Sequence, residues 1–463
     1  MTGMKRRILL LSALSLVQFV LVHFVLLQHF PNSGDEASFL FQAKLFSRNQ
    51  LYVEDALYDQ ANPLNKYVQA DAIVDLGGRR FSKYDPGWAA LLSLGARFGM
   101  EWLVAPLSGA LTVFLLLSHV AKRIGPEFVG VTWCLVALCS FFLFSVANYG
   151  SHTATMAFLF GAFCLYDHTF GDGQTEPSHW RLFSLGLILG YCSLIRYLDW
   201  IPLMGWIAFN LLRQGRSKGL ILVFVGFGLV ASCHLIYNRL LTGNAFLPPF
   251  TYAERSNSSG NLGLSWMGFA TTAIRLKRVL YAFPPAAMVL LCLIRPCQSA
   301  RLKTYLTLFA LTVCAYFFYP WGVAGPGPRY FFPYFPFLIL AVVEVYRLVR
   351  TERIGRIGWY VALSCLLVCS FIYGAGQTSD IYKRLDLERT IASVPQKKKI
   401  ILLESGTYKM DVPDLIRNQP DLWSADTLFL AYDDDPHLKE LLACFPEHSV
   451  FAYKYPSQLD PYP

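Results

Sequence analysis

Apolar runs of membrane-spanning length, separated by short loops rich in lysine and arginine, constrain this chain more than any other feature. A bilayer core takes about 20 residues of apolar helix. Such runs recur near residues 8–27, 101–120, 127–147, 151–168, 181–196, 200–212, 219–240, 280–295, 304–320, 330–348 and 357–376. They predict about eleven transmembrane helices. Lys5, Arg6 and Arg7 precede the first run, which sets the chain start on the cytoplasmic side. Alternation from that start brings Lys122 and Arg123 to the same side, followed by Arg213, Arg216 and Lys218, then Arg295, Arg301 and Lys303, then Arg347, Arg350, Arg353 and Arg356. The agreement accumulates, because one missed span would invert every later cluster. Ile8 to Leu27 is too long for a signal-peptide core and no small-residue cleavage site follows, so it reads as a retained anchor.

Charged residues make up 15% of the chain, against about 25% in a soluble globular protein. The net charge of +9 comes mostly from loops between apolar runs, so it reports topology and gives no sign of a nucleic-acid partner. Most cysteines fall inside the apolar runs, where they read as small buried hydrophobes. No CxxC or Cys/His spacing suggests zinc.

The chemistry-bearing residues gather where this topology faces outward. Asp35 and Glu36 follow the first run and open a polar loop. A carboxylate at a partly desolvated interface is well placed to take a proton from a hydroxyl. Ser33 is also a natural N-cap, which would make the pair an ordinary first helical turn. In Phe81-Ser-Lys83-Tyr84-Asp85-Pro86-Gly87-Trp88, the Pro-Gly break precedes an apolar stretch, Ala89 to Phe98, too short to span and suited to the interface. Lys83 would then stand at the membrane surface beside Tyr84 and Asp85, either as a point charge for a phosphate or as a snorkelling interfacial lysine. Arg196 and Arg329 lie at outer span ends, where arginine usually faces a polar cavity or a partner. Asp199 offers Arg196 an ordinary ion-pair partner. The outer loop 239–278 carries Arg239, Arg255, Arg275, Lys277 and Arg278, and Trp266 to Leu280 has the spacing of an amphipathic helix on the membrane. His152 begins a span at the same face, as a further contact or a simple capping residue.

From Gln377 the chain changes character. Lys399–Glu404, Thr427–Tyr432 and Ser449–Tyr453 read as strands, and Val412–Arg417 and His437–Cys444 as helices. The order predicts a small parallel α/β layer, outside by topology, with no phosphate loop or nucleophile elbow. The chain therefore divides into a membrane domain, 1–376, and a small α/β domain, 377–463.

Several motifs carry a family resemblance. Gly34-Asp35-Glu36 and its helix, the Lys83-to-Trp88 turn, Tyr237-Asn238 with Thr242-Gly243-Asn244, and Pro328-Arg329-Tyr330 followed by Pro333-Tyr-Phe-Pro336 occur in the order seen in GT-C integral membrane glycosyltransferases. The chain resembles the bacterial branch similar to protein O-mannosyltransferases and lipid A aminoarabinose transferases, over roughly residues 5–376. That resemblance implies a polytopic helical fold and inverting transfer of a sugar from a polyprenyl phosphate to an acceptor hydroxyl. Asp35 would be the base with Glu36 as partner or substitute. Lys83 and Arg329 would hold the donor phosphate, within reach of one cavity open to the outer leaflet, with Arg196 and the basic loop behind them. The resemblance also implies that no metal or cofactor is needed. Tyr84, Asp85, His152 and Arg275 are further contact candidates. The implied partners are the lipid-linked donor, membrane lipids and a glycan, lipid or protein acceptor, at the outer face of a bacterial inner membrane. A lipid-linked sugar transporter would also need many spans and phosphate-binding cations. It would not need a carboxylate pair on one face, and no inverted repeat is visible.

Overall fold

Helices dominate the computed structural model, which describes residues 2–70, 72–171, 178–254, 263–290, 299–319, 327–404, 416–454 and 458–461. The chain packs as two units with interleaved segments. One contains Met1–Leu26, Leu103–Cys233 and Ser259–Gln377; the other contains Leu27–Trp102, His234–Ser258 and Thr378–Pro463.

The first unit is helical throughout. Helix α1 (Thr2–Leu21) packs on α5 (Val104–Arg123), and α5 on α8 (His152–Phe170). Leu9, Leu10, Leu14, Val17 and Leu21 of α1 remain exposed, as does a matching set from Ile221 to Leu229 on α11 (Ser217–Thr242). Apolar surface on this scale suits hydrocarbon and not water. Between α9 (His179–Ile195) and α11, glycines replace side chains at the crossing. A Cβ on Gly186 would stand 2.1 Å from the Val223 carbonyl oxygen, and one on Gly226 would stand 2.3 Å from that of Phe183. Gly186 and Gly190 form the small-xxx-small spacing that lets membrane helices approach closely.

Among the described residues, five helices are long and apolar enough to cross a membrane: Gly3–Leu27, Glu101–Arg123, Ser217–Thr242, Arg329–Val349 and Arg353–Ala392. The segment read as one span over 127–147 is broken. Helices α6 (Val129–Ala137) and α7 (Ser140–Ala147) meet at a 70° bend, where the Ser140 N–H is taken by the Ser370 hydroxyl. Other apolar runs fold as shorter helices, including α9, α10 (Trp200–Arg213) and α14 (Ala300–Tyr316). A 14-residue helix such as α10 rises about 21 Å, short of a bilayer core of about 30 Å. The run at 280–295 contains a 3₁₀ stretch, Pro284–Leu290, and residues 291–298 lie outside the described residues. The unit is completed by α13 (Trp266–Ala282), α15 (Phe335–Val349) and most of α16 (Arg353–Ala392).

In the second unit, α2 (Gly34–Ser47) packs on α4 (Pro86–Ala96), and short helices α3 (Asn65–Val68) and α12 (Phe250–Glu254) flank the sheets. Strands β1 (Val53–Glu54), β2 (Ile73–Leu76) and β3 (Arg79–Ser82) form an antiparallel sheet with β3 central. The tail supplies β4 (Lys399–Leu403), β5 (Thr427–Ala431), β6 (Ser449–Lys454) and β7 (Gln458–Pro461), in the order β5-β4-β6-β7. The three expected strands are parallel; β7 adds an unanticipated antiparallel edge. Helix α17 (Pro436–Ala443) lies where a helix was expected, and most of the other, Val412–Arg417, falls outside the described residues. The sheet does not bury its face alone. Ile400, Leu402, Leu428 and Leu430 share a core with Leu57, Tyr58, Tyr67 and Val68 of the first polar loop.

Candidate active site

Each unit gathers its own set of the residues singled out above. In the second, Ser33 caps α2 in extended backbone and accepts the Glu36 N–H. Glu36 is only 6% exposed, and its Oε2 turns back to accept the Asn32 N–H at 3.0 Å. This is close to the reciprocal capping box, so Glu36 secures the helix entry. Asp35, one position earlier, points elsewhere and accepts the Tyr84 hydroxyl at Oδ1. Two adjacent carboxylates thus have separate surroundings.

The turn that carries Tyr84 is tied to α2. Gln42 accepts the Ser82 N–H at 2.9 Å and donates to the Leu51 carbonyl at 2.7 Å. The Ser82 hydroxyl accepts the Tyr84 N–H, and the Lys83 N–H reaches the Ala72 carbonyl. The Tyr84 ring lies 4.6 Å from that of Phe39. Lys83 Nζ sits 5.3 Å from the Tyr84 ring centre and forms no ion pair among the described residues. Asp85 stands at the N-terminus of α4, with its Oδ1 3.6 Å from His234 Nδ1. Tyr237, one turn beyond His234, buries a hydroxyl that meets no hydrogen-bond partner among the described residues.

In the first unit, Tyr330 is the centre of a cationic cluster. The guanidinium carbons of Arg275, Arg329 and Arg196 lie 4.7, 5.2 and 5.7 Å from its ring centre, and the His152 ring lies 6.0 Å away. The negative face of a tyrosine ring attracts such groups. Arg196 pairs with buried Asp199, as the bland reading of its sequence neighbour suggested. Asp199 also accepts the Tyr316 hydroxyl at 2.5 Å, and its carbonyl accepts that of Tyr334 at 2.7 Å. Arg196 is therefore largely neutralised and fixed in place.

Arg275 is the most buried of the three, at 2% exposure. Its NH1 donates to the Tyr319 carbonyl at 3.1 Å. Burial pushes its guanidinium below the ordinary value, while the tyrosines around it oppose that shift. Its helix, α13, is inverted relative to a soluble amphipathic helix. Trp266 is 84% exposed and Met267, Phe269 and Ile274 are exposed with it, whereas Thr271, Thr272 and Arg275 are buried. That is the pattern of a helix with its apolar face in lipid. Gly268 admits the end of α14, since a Cβ there would lie 1.9 Å from the Phe317 carbonyl oxygen. Arg255 of the same basic loop lies outside the described residues.

Four expected cations or contacts, Arg196, Arg275, Arg329 and His152, are thus brought together, as are Asp35, Lys83, Tyr84 and Asp85 in the other unit. Sequence reasoning did not single out Tyr316, Tyr319, Tyr334 or His234. The Tyr316/Tyr319 spacing at the end of an apolar run was the available signal. Among the described residues, no three His, Cys, Asp or Glu side chains are grouped to hold a metal ion.

No family model and no curated protein matches this chain. Solved structures do. ArnT from Cupriavidus metallidurans bound to undecaprenyl phosphate is similar with a TM-score of 0.57 at 13% identity, over 95% of this chain and 88% of that one. The same protein in the apo state is similar with a TM-score of 0.50 at 12% identity, over 86% of this chain and 83% of that one. The chain is a multi-pass helical membrane protein with the fold of ArnT.

Proposed function

We propose that this protein is an inverting glycosyltransferase that moves a sugar from a polyprenyl phosphate to an acceptor hydroxyl at the outer face of a bacterial inner membrane. The observation that carries the reading is the separation of roles within Asp35-Glu36. Glu36 is committed to the helix entry, while Asp35 is half-exposed and oriented by Tyr84 on a turn that also presents Lys83. A solved structure of the same fold is bound to undecaprenyl phosphate, which supports a donor of that class.

Asp35 takes the acceptor proton as the acceptor oxygen bonds to the anomeric carbon. The bond from that carbon to the phosphate oxygen breaks, and the configuration inverts. Tyr84 aims the carboxylate, and Asp85 with His234 fixes the start of α4. Charge develops on the departing phosphate, so cations serve where it forms. Lys83 in one unit and Arg329 in the other are each assigned to the donor phosphate; Arg275 stands beside Arg329, and Arg196 holds the tyrosine framework. His152 is a contact for the donor at the same cluster. The phosphate leaves as a weak base and needs no general acid. In functional terms residues 1–376 carry the reaction, and the tail, 377–463, is a small non-cytoplasmic domain that supports the first outer loop.

Purified protein in detergent, given polyprenyl-phosphate sugars and candidate hydroxyl acceptors, should release the lipid phosphate and transfer the sugar together. Donor binding with neither product, in wild-type protein and in Asp35→Asn alike, would favour a lipid-linked sugar transporter instead.

A further inference from the structure

At the opposite end of the first unit from Tyr330, α5, α8, α10 and α14 line a half-open polar cavity of about 120 Å³. Its lining includes His119, Arg123, Asp167, Trp206, Arg301 and Tyr305. It lies where α5 and α8 end and α14 begins, at the end that carries Lys122, Arg123, Arg216 and Lys303.

Its polar groups are ordered from one side. Arg123 is bound to Asp167, with Nε to Oδ2 at 2.7 Å and NH2 to the backbone carbonyl at 2.9 Å. His119 is held between the Tyr305 hydroxyl, 2.9 Å from Nε2, and Asp167, 3.7 Å from Nδ1. Asp167 is thus already matched by Arg123. Arg301 completes the lining from α14, exposed, with no hydrogen bond or ion pair among the described residues. Thr304, three residues on, is on the same helix face and lines the cavity beside it. Within the lining, cations outnumber carboxylates; Glu344, outside it, also acts on Arg301 electrostatically but is bound by Arg347 and Ser299, and the Arg301 fork suits a phosphate.

Size narrows the occupant. The cavity holds roughly four waters' share of liquid volume. Sites for drug-sized ligands run from about 300 to 1,000 Å³, and this cavity is smaller. A phosphate group fits. Basic pockets between membrane helices at the headgroup level are a recurring way of holding anionic lipids. We propose that this cavity binds a phosphate-bearing anion, with Arg301 as its principal ligand; Arg123, committed to Asp167 and the Gly171 carbonyl, frames the wall. The source is the headgroup of an anionic phospholipid or free phosphate. This site is independent of the sugar-transfer chemistry assigned above.

The test is thermal unfolding of the full chain in neutral detergent, titrated with dioctanoyl phosphatidylglycerol, dioctanoyl phosphatidylcholine or inorganic phosphate. A ligand of the folded state raises the midpoint with saturation. Wild-type protein should respond to phosphatidylglycerol or to inorganic phosphate, and whichever saturates at lower concentration names the source. Arg301→Gln should raise the half-saturating concentration at least tenfold. Lys303→Gln removes the same charge from the same helix outside the cavity and should leave it unchanged. Equal effects of the two variants, a wild-type response to phosphatidylcholine matching phosphatidylglycerol, or no saturable response to either anion would overturn the proposal.

Discussion

Replacing Asp35 by asparagine isolates the chemistry from the fold. The amide keeps the size of the carboxylate, and its oxygen can still accept the Tyr84 hydroxyl, so one neutral hydrogen bond replaces a charge-assisted one. That exchange costs about 1 kcal/mol or less of stability. The lost proton acceptor is a larger matter. General-base catalysis contributes about 10²–10⁴-fold, which is about 3–5.5 kcal/mol of barrier. Turnover in Asp35→Asn should therefore fall at least 100-fold while binding of the polyprenyl donor changes less than about threefold. Glu36→Gln is the paired control. Its amide oxygen can still accept the Asn32 N–H, so activity should stay within about tenfold of wild type. Glu36→Ala leaves the partly buried Asn32 N–H without its acceptor and should cost about 1 kcal/mol of stability. The assay is single-turnover release of lipid phosphate under saturating donor, alongside donor binding. An active Asp35→Asn with an inactive Glu36→Gln would reverse the assignment. Activity in both would remove the general base from the mechanism.

Three further outcomes are expected. Lys83→Met should weaken binding of a polyprenyl phosphate by about 10–150-fold, the equivalent of one charge-assisted hydrogen bond of about 1.5–3 kcal/mol, with the melting midpoint unchanged; undiminished binding would remove Lys83 from the phosphate site. Asp199→Asn should lower the melting midpoint sharply, because breaking a buried ion pair costs about 3–5 kcal/mol and the variant also weakens the contact with Tyr316. Lys66 binds Asp433 and Asp435, and the lysine holds the Asp435 carboxyl well below its ordinary value while being raised itself. The carboxyl contribution is present above the unfolded value near ~3.9 and is lost as pH falls further. The lysine contribution is complete below ~10.4 and is lost at higher pH. The midpoint difference between wild type and Lys66→Met should be small at pH 7, as exposed pairs are screened, and should shrink towards zero in strong acid.

Local signals carried much of the architecture. Apolar runs marked the helices because lipid-facing sequence must be apolar whatever packs behind it, and α1 and α11 keep such faces. The Pro86-Gly87 break marked α4, and the Trp266 periodicity marked α13. The strands β4, β5 and β6 were legible because each is a short apolar run between turn residues. The bend between α6 and α7 was not, because a Ser140–Ser370 hydrogen bond joins residues far apart in sequence. The same limit applies to the cationic cluster. Arginines at span ends could be picked out singly, but their gathering on Tyr330, and the binding of Asp199 to Tyr316 and Tyr334, depend on long-range packing. The different surroundings of Asp35 and Glu36 were half legible: Ser33 and Glu36 have the spacing of a capping box, whereas the approach of Tyr84 to Asp35 has no local trace.

The core shared by Leu57, Tyr58, Tyr67 and Val68 with Ile400, Leu402, Leu428 and Leu430 ties the first polar loop to segments translated more than 300 residues later. While the ribosome is still at work, those four loop residues have no sheet to cover them. Their apolar surface stays open through the insertion of nearly every membrane helix. The unit that presents Asp35 and Lys83 thus matures only when synthesis is nearly complete, so a prematurely terminated chain would be left with an unfinished loop.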